Sequence, residues 1–231
     1  MGMVKAAVLV MPQQGMVLMA ALLVTVMLLL MGVSGARLAI QGERSARALR
    51  DRDVAMQAAE DALADAEREL AGGASDAARH ALLAASDAYV QACGNGAAAP
   101  DLGLCAADEA DTAPAWQQVD LADDSAASRS VPFGLYTGAE METGEGFLPF
   151  RKPRYVIEQL PLPSGAPAGS AHVYRVTAIG FGAREGTEVV LQSSYRPASK
   201  PAVAGGAAAK GARVAWREVA NYRELWRAAK P

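Results

Sequence analysis

The chain has 231 residues, a formal net charge of −3, two cysteines and two histidines. Its length allows one domain, or one domain with an appendage, and a charge so close to neutral gives no electrostatic reason to expect nucleic acid as a partner. His80 and His172 lie far apart in the sequence and no CxxC motif occurs. The residues therefore predict no metal site, no cofactor and no catalytic set, and we expect a protein that is not an enzyme.

The first predicted element is an apolar helix near the N-terminus. No charged side chain occurs in residues 6–36, and nearly every residue of 16–31 is strongly apolar. A helix of roughly 16 to 22 such residues reaches about 24 to 33 Å, enough to cross the hydrocarbon core of a bilayer. The segment therefore predicts membrane insertion. A secretory signal cleaved after Ser34-Gly35-Ala36 is the alternative.

The charges beside this segment and the two cysteines predict opposite orientations. Lys5 is the only charged residue before the apolar run, whereas several arginines follow it: Arg37, Arg44, Arg47, Arg50 and Arg52. The positive-inside rule would keep the C-terminal side in the cytoplasm. These arginines could contact anionic headgroups, or they are ordinary surface charge.

Cys93 and Cys105 bracket a loop rich in Gly, Ala and Pro that has little means of holding its own shape. A disulfide closing a loop of this length contributes roughly 3 kcal/mol, but only in an oxidising compartment. Two buried free thiols are the alternative. We give the disulfide more weight than the charge count and place the bulk of the chain outside the cytoplasm.

Residues 42–71 predict an amphipathic continuation of the apolar helix. The segment lacks proline, carries charges of both signs and has an apolar residue at every seventh position, Leu49, Met56, Leu63 and Leu70, with Ala59 and Ala66 between them. This stripe is expected to pack the helix on a sheet. Gly72-Gly73 should end the helix, and a second helical stretch is expected over 76–91.

Residues 72–150 form a variable region with no clear period. Its acidic residues suggest either calcium binding by oxygen ligands or a solvated loop, and the absence of EF-hand spacing favours the loop. These residues are Asp108, Glu109, Asp111, Asp120, Asp123 and Asp124.

The C-terminal third changes to a period of two, which predicts strands. Three runs rich in β-branched and aromatic residues predict an antiparallel sheet within 153–196. A low-complexity segment at 197–212 predicts a flexible linker, and 213–230 predicts a closing strand and helix. A sheet needs its apolar face covered, so the sequence predicts an α+β fold: a long N-terminal helix, half membrane segment and half amphipathic, packed on a small antiparallel sheet.

Three motifs in order resemble one known family. Gln13-Gln14-Gly15 followed by a long apolar helix resembles the class III leader of type IV pilins and pseudopilins. The run RDRDVAMQAAEDALADAE, residues 50–67, is similar to the helix of PilX-type minor pilins. The strand segments PRYVIE, YRVTAIGFG and TEVVLQSSYR and the closing RVAWRE also resemble that family, whereas residues 72–150 do not.

The resemblance implies processing and partners. Residues 1–15 would be a leader that prepilin peptidase removes between Gly15 and Met16, with N-methylation of Met16, and a start at Met11 would leave a short leader of residues 11–15. The mature chain would hold a transmembrane and assembly segment at 16–40 and a periplasmic head at 41–231. Its expected partners are other minor pilins, the major pilin, inner-membrane lipid before assembly and a large tip adhesin.

One position departs from the family pattern. Typical pilins carry a glutamate five residues into the mature chain, and here Ala20 occupies that place. A carboxylate in hydrocarbon is costly without a partner, so its absence favours a first or tip-proximal subunit of the extracellular pilus that primes assembly. A minor pseudopilin of type II secretion, and an anchored or secreted periplasmic binding module, remain the alternatives.

Overall fold

The computed structural model describes residues 14–85, 89, 93–96, 99–107, 113–162, 164–165, 172–198 and 211–230. The chain divides into two compact units, Met1–Ala48 and Leu49–Pro231. The leader residues 1–13 and most of the predicted linker 197–212 lie outside the described residues.

Helix α1 runs over Gln14–Arg68, 55 residues without a proline. The predicted continuity of the apolar and amphipathic halves is therefore observed. A π-helical turn, Glu69–Gly73, follows it, and Gly72 has φ 92° inside that turn. A side chain rarely adopts such a φ, so glycine here lets the chain leave the helix.

Helix α2, Ala77–Ala84, is shorter than the predicted 76–91. Asp76 caps it by accepting hydrogen bonds from the backbone N–H groups of Ala78 and Arg79, at 2.7 and 3.1 Å. A capping acidic residue satisfies N–H groups that have no partner within the helix.

The sheet is built from six strands in three pieces of sequence. Strands β3 (Arg154–Gln159), β4 (Tyr174–Phe181) and β5 (Glu188–Arg196) form the predicted antiparallel meander, and β6 (Ala212–Glu218) extends it. Two short strands of the variable region join the far side of β3. They are β1 (Leu104–Ala106) and β2 (Val131–Pro132).

Strand β1 pairs with β3 in parallel, so the sheet is mixed rather than purely antiparallel. Three residues are too few to show a period, which is why the sequence did not predict this strand. The variable region is thus partly incorporated into the sheet, with the short helix α3 (Ala115–Gln118) between β1 and β2.

The sheet is covered on both faces. One face carries Tyr155, Ile157 and Val176, which pack with α1. The other carries Ile179 and Phe181, whose cover comes from α3 and from helix α4, Tyr222–Ala229. The sequence predicted only the α1 cover, because the α3 segment has no periodic pattern.

The predicted packing stripe on α1 is partly wrong. Leu63 is fully buried, and Met56 and Leu70 are partly buried against the core, but Leu49 is 64% exposed. The buried seam is instead made mainly of alanine: Ala55, Ala58, Ala59, Ala62 and Ala66.

Two physical reasons explain this correction. A helix of 3.6 residues per turn drifts by about 20° for each seven-residue step, so a strict heptad stripe does not stay on one face. Strand β4 also approaches closely: a Cβ on Gly180 would lie 2.0 Å from the carbonyl oxygen of Ala55. Only small side chains fit at such a contact.

Candidate functional site

The N-terminal half of α1 presents an uncovered apolar surface. All residues of 16–48 are exposed, and Leu18, for example, is 73% exposed. The most apolar 18-residue window has a mean hydropathy of 2.8 and no buried residue, so the helix is long and apolar enough to cross a membrane. An apolar surface of this size requires lipid or another protein to cover it.

Few polar side chains occur within this half, and Thr25 is hydrogen-bonded to the helix itself. The Thr25 hydroxyl donates to the Ala21 carbonyl oxygen at 2.7 Å, as is usual for threonine in apolar helices. Ala20 lies one residue before that acceptor, and no acidic residue occurs in the first turn of α1. Gly15 and Met16 lie at the start of α1, and cleavage between them remains a prediction.

Acidic residues of the second half of α1 contact the head. The Asp51 carboxylate accepts hydrogen bonds from the backbone N–H of Ala183 at 2.6 Å and from the Thr187 hydroxyl. The Asp65 carboxylate accepts from the backbone N–H of Gly134 at 2.8 Å and from the Thr137 hydroxyl. Acidic residues that the sequence pattern places on a solvated helix face therefore hold two loops of the head by hydrogen bonds.

The same helix is tied to strand β6 by ion pairs. Arg213 donates to Glu67 at 2.8 Å and to Glu60 at 3.0 Å, and Arg52 donates to Glu218 at 2.6 Å. Each pair is at least partly exposed. Exposed pairs stabilise by only about 0–1 kcal/mol each, so they orient β6 more than they stabilise it.

A buried ion pair lies where the helix ends. The side chains of Glu69 and Arg79 are both fully buried and hydrogen-bonded to each other. The Tyr155 hydroxyl donates to the second Glu69 oxygen at 2.7 Å. Burial, with the Glu69 carboxylate beside it, raises the pKa of the Tyr155 phenol well above its usual range.

Arg79 also connects this pair to the cysteine loop. Its Nη1 donates to the carbonyl oxygens of Pro100 and Leu102, both at 2.8 Å. Its guanidinium lies 4.3 Å from the centroid of the Tyr136 ring. One arginine thus links α2, the cysteine loop and the segment after β2, a role that no sequence pattern indicated.

The cysteine loop is closed as predicted by a Cys93–Cys105 disulfide. Both cysteines are buried, as are Leu102 and Leu104 between them. The backbone N–H of Gly103 donates to the Gly94 carbonyl oxygen at 3.1 Å. The loop is therefore packed on the core as well as cross-linked.

Among the described residues, the histidines and the acidic side chains of the variable region form no metal-ligand set. His80 and His172 line one cavity of about 310 Å³, although they lie far apart in the sequence. Asp120 and Asp123 cap turns, and backbone hydrogen bonding at Ser125 lowers the pKa of Asp123. Within the described parts of the chain, no three His, Cys, Asp or Glu side chains cluster as metal ligands would. Asp108, Glu109 and Asp111 lie outside those parts.

Comparison with family models covers both halves of the molecule. A model described as PilX N-terminal matches residues 7–64, and one described as Type IV pilus assembly protein PilX C-term matches residues 101–197. The chain belongs to the PilX family of type IV pilus assembly proteins. No curated protein and no solved structure matches the chain in the same comparisons.

The PilX matches coincide with the features described above. The N-terminal match contains the exposed apolar half of α1 and most of its alanine seam. The C-terminal match contains β1 to β5 and the loops that Asp51 and Asp65 hold. Helix α2 and the closing elements β6 and α4 lie outside both matches. As a PilX family member the chain is a pilus assembly component whose apolar helix fits a membrane anchor.

Proposed function

We propose that this PilX family member is a minor pilin that co-assembles with other minor pilins to prime the type IV pilus and stays at or near its tip. The observation that carries the proposal is the wholly exposed apolar half of α1 in a chain of this family. In the bilayer, lipid would cover that surface, and in the pilus the helices of other subunits would replace the lipid.

The proposed topology is a single pass through the inner membrane with the head in the periplasm. The disulfide supports it, because structural disulfides persist in oxidising compartments. The arginines that follow the span favour the other orientation by the positive-inside rule, and we give the disulfide more weight than this charge count.

The proposed position in the pilus rests on Ala20. In the pilin pattern, a glutamate at this place pairs with the N-terminal amine of a neighbouring subunit. Ala20 offers only a methyl group, so 16–40 would bind other pilin helices by packing alone, with close approach at small residues such as Ala21, Gly32 and Gly35. A subunit lacking this contact suits a scarce, tip-proximal place.

The leader is tested by Gly15→Ala in the full-length protein with its host's prepilin peptidase. We expect wild type to yield a mature chain beginning with methylated Met16. The variant should insert into the membrane but stay uncleaved, because the peptidase site needs a minimal side chain. Gly32→Ala is the matched control, since a Cβ there meets nothing within 4 Å.

Normal cleavage of Gly15→Ala, or a mature chain that begins near Arg37, would overturn the pilin processing. The tip position is tested separately by mass spectrometry of sheared pili with gold labelling of the head. Uniform labelling along the shaft at the abundance of the major pilin would contradict it.

A further inference from the structure

The sheet face that α3 and α4 cover is open at its other end, where β4, β5 and β6 run side by side. Arg175 is paired with Ser194, and Ser194 with Ala215; in the next row Gln192 is paired with Arg217. Directly paired residues share a face of the sheet. These residues line a cavity of about 330 Å³.

The Arg217 guanidinium is held by a buried partner. Its Nε and Nη2 donate to the Gln192 side-chain oxygen at 3.0 and 2.8 Å. The Gln192 amide in turn donates to the Thr177 hydroxyl at 2.9 Å, and both of these residues are buried. The Arg217 side chain is thus held in position by Gln192 without a ligand.

The Arg175 guanidinium is held in the same manner. Its Nη1 donates to Glu158 at 2.9 Å, and the Glu158 side chain is fully buried. The other Glu158 oxygen accepts the backbone N–H of Ala115 at 3.1 Å. Burial raises the pKa of Glu158 even though Arg175 opposes the shift. The buried Glu158 carboxylate therefore holds the Arg175 guanidinium in place.

The two arginines of the cavity have N–H donors that no described contact uses. A guanidinium has five N–H donors, and the described contacts of Arg175 and Arg217 use a minority of them. Trp216 is paired with Ser193, so its side chain lies on the opposite face of the sheet. Two guanidinium groups fixed on one face suit a ligand with carboxylates on a chain.

We propose that this cavity binds an acidic segment of a partner pilus subunit, with two of its carboxylates contacting Arg175 and Arg217. This inference rests on the proposed co-assembly with other pilins. The arginines lie on β4 and β6, which are separated by β5 and therefore by roughly 10 Å. This separation suits two side chains of one peptide better than one small anion. β6 lies beyond both PilX matches. A site that includes Arg217 of β6 would therefore select a partner particular to this chain.

The test uses the full-length protein in detergent and a fluorescent hexaglutamate peptide, with hexaglutamine as the uncharged peptide. Fluorescence anisotropy should show binding of hexaglutamate only. Arg217→Gln should weaken it by about tenfold or more, because a charge-assisted, two-point contact is lost. Arg184→Gln removes the same charge from an exposed loop and should leave binding unchanged.

Ser194→Glu provides a second variant that keeps both arginines. It places a carboxylate in the cavity and should weaken hexaglutamate binding as much as Arg217→Gln does. Circular dichroism melts show that each variant is folded. Equal weakening by Arg184→Gln, or equal displacement of the peptide by inorganic phosphate at the same concentration of charge, would overturn the proposal.

Leader cleavage separates this proposal from the proposed function. Arg217→Gln lies far along the chain from Gly15, so its N-terminus should be processed as in wild type. No peptide binding with normal processing rejects the acidic-segment site and leaves the minor pilin proposal standing. Abnormal processing of wild type rejects the pilin proposal whatever the peptide does.

Discussion

Gly180 sits where strand β4 crosses the backbone of α1. An added Cβ would lie 2.0 Å from the Ala55 carbonyl oxygen and 2.3 Å from the Ala59 nitrogen, and both are backbone atoms that cannot rotate away. The residue is therefore required for its lack of a side chain rather than for a left-handed φ.

We predict that Gly180→Ala destabilises the head by about 1–3 kcal/mol or more, because the helix and the strand must separate. Urea unfolding followed by tryptophan fluorescence measures the change. Gly42→Ala is the control, since a Cβ there meets nothing within 4 Å. A Gly180→Ala midpoint equal to wild type would contradict the close contact.

Glu158 gives the head a pH dependence whose sign is fixed by burial. Burial raises its pKa above the ordinary 4.5 despite the opposing charge of Arg175. Between 4.5 and the raised pKa the folded state holds more protons than the unfolded state, so the contribution of this group to stability falls as pH rises.

We predict that wild type loses stability relative to Glu158→Gln as the pH is raised from 4 to 7. Urea midpoints of the two proteins at both pH values measure the difference. The opposite trend, a relative gain by wild type towards pH 7, would show that the Arg175 ion pair outweighs burial.

At the scale of elements, the two ends of the amphipathic half of α1 differ in how far they are buried. Leu63 is fully buried against the sheet, whereas Leu49 is 64% exposed. Asp51, two residues after Leu49, already contacts the turn between β4 and β5. The sheet therefore covers α1 only from about that turn onward.

We predict that Leu63→Ala destabilises the head by about 2–5 kcal/mol through loss of buried area and the cavity left behind. Leu49→Ala should change stability by no more than about 0.5 kcal/mol. The same chemical truncation at two positions of one helix serves as its own control in thermal melts. Similar losses for both variants would contradict the alanine seam.

The elements with long, regular patterns were predictable from the sequence, and those held by tertiary contacts were not. The long helix, its end at Gly72 and the β3–β5 meander follow from period and glycine placement. The parallel strand β1 depends on pairing with β3, which no local pattern specifies. The alanine seam was predicted only in part, at Ala59 and Ala66, because alanine is a weak apolar signal and its importance depends on the close approach of Gly180.

The candidate sites divide in the same manner. The Cys93–Cys105 bond was predictable, since its loop has few other means of support. The Glu69–Arg79 pair was not, because a charged side chain in sequence looks solvated until its burial is known. Likewise, the register of β4, β5 and β6 is needed before Arg175 and Arg217 can be placed on one face.

For the whole molecule, Ala20 decides how the apolar half of α1 would meet its neighbours. We predict that Ala20→Glu does not increase the amount of this protein in sheared pili, because a tip-proximal subunit has no amine positioned to receive the carboxylate. Ala21→Glu adds the same charge one residue away and is the matched control. Quantitative mass spectrometry compares the sheared and membrane fractions.

An increase in the amount of Ala20→Glu, but not of Ala21→Glu, in sheared pili would contradict the tip-proximal role. It would show that a neighbouring subunit places an amine where the new carboxylate can pair with it. Equal amounts in all three proteins, or an equal decrease in both variants from the cost of a charge in hydrocarbon, agree with it.

The alanine seam has a mechanical consequence. If α1 is pulled along its own axis, Ala55 and Ala59 must move past the backbone of Gly180. Backbone atoms cannot relieve the steric overlap by changing rotamer, as leucine side chains can. Sliding by one turn would bring Leu63 toward the place of Ala59, or Asp51 toward the place of Ala55. The contact between α1 and β4 should therefore resist sliding of the helix along its axis. In single-molecule pulling experiments, we expect the Gly180→Ala variant to unfold at a lower force than wild type.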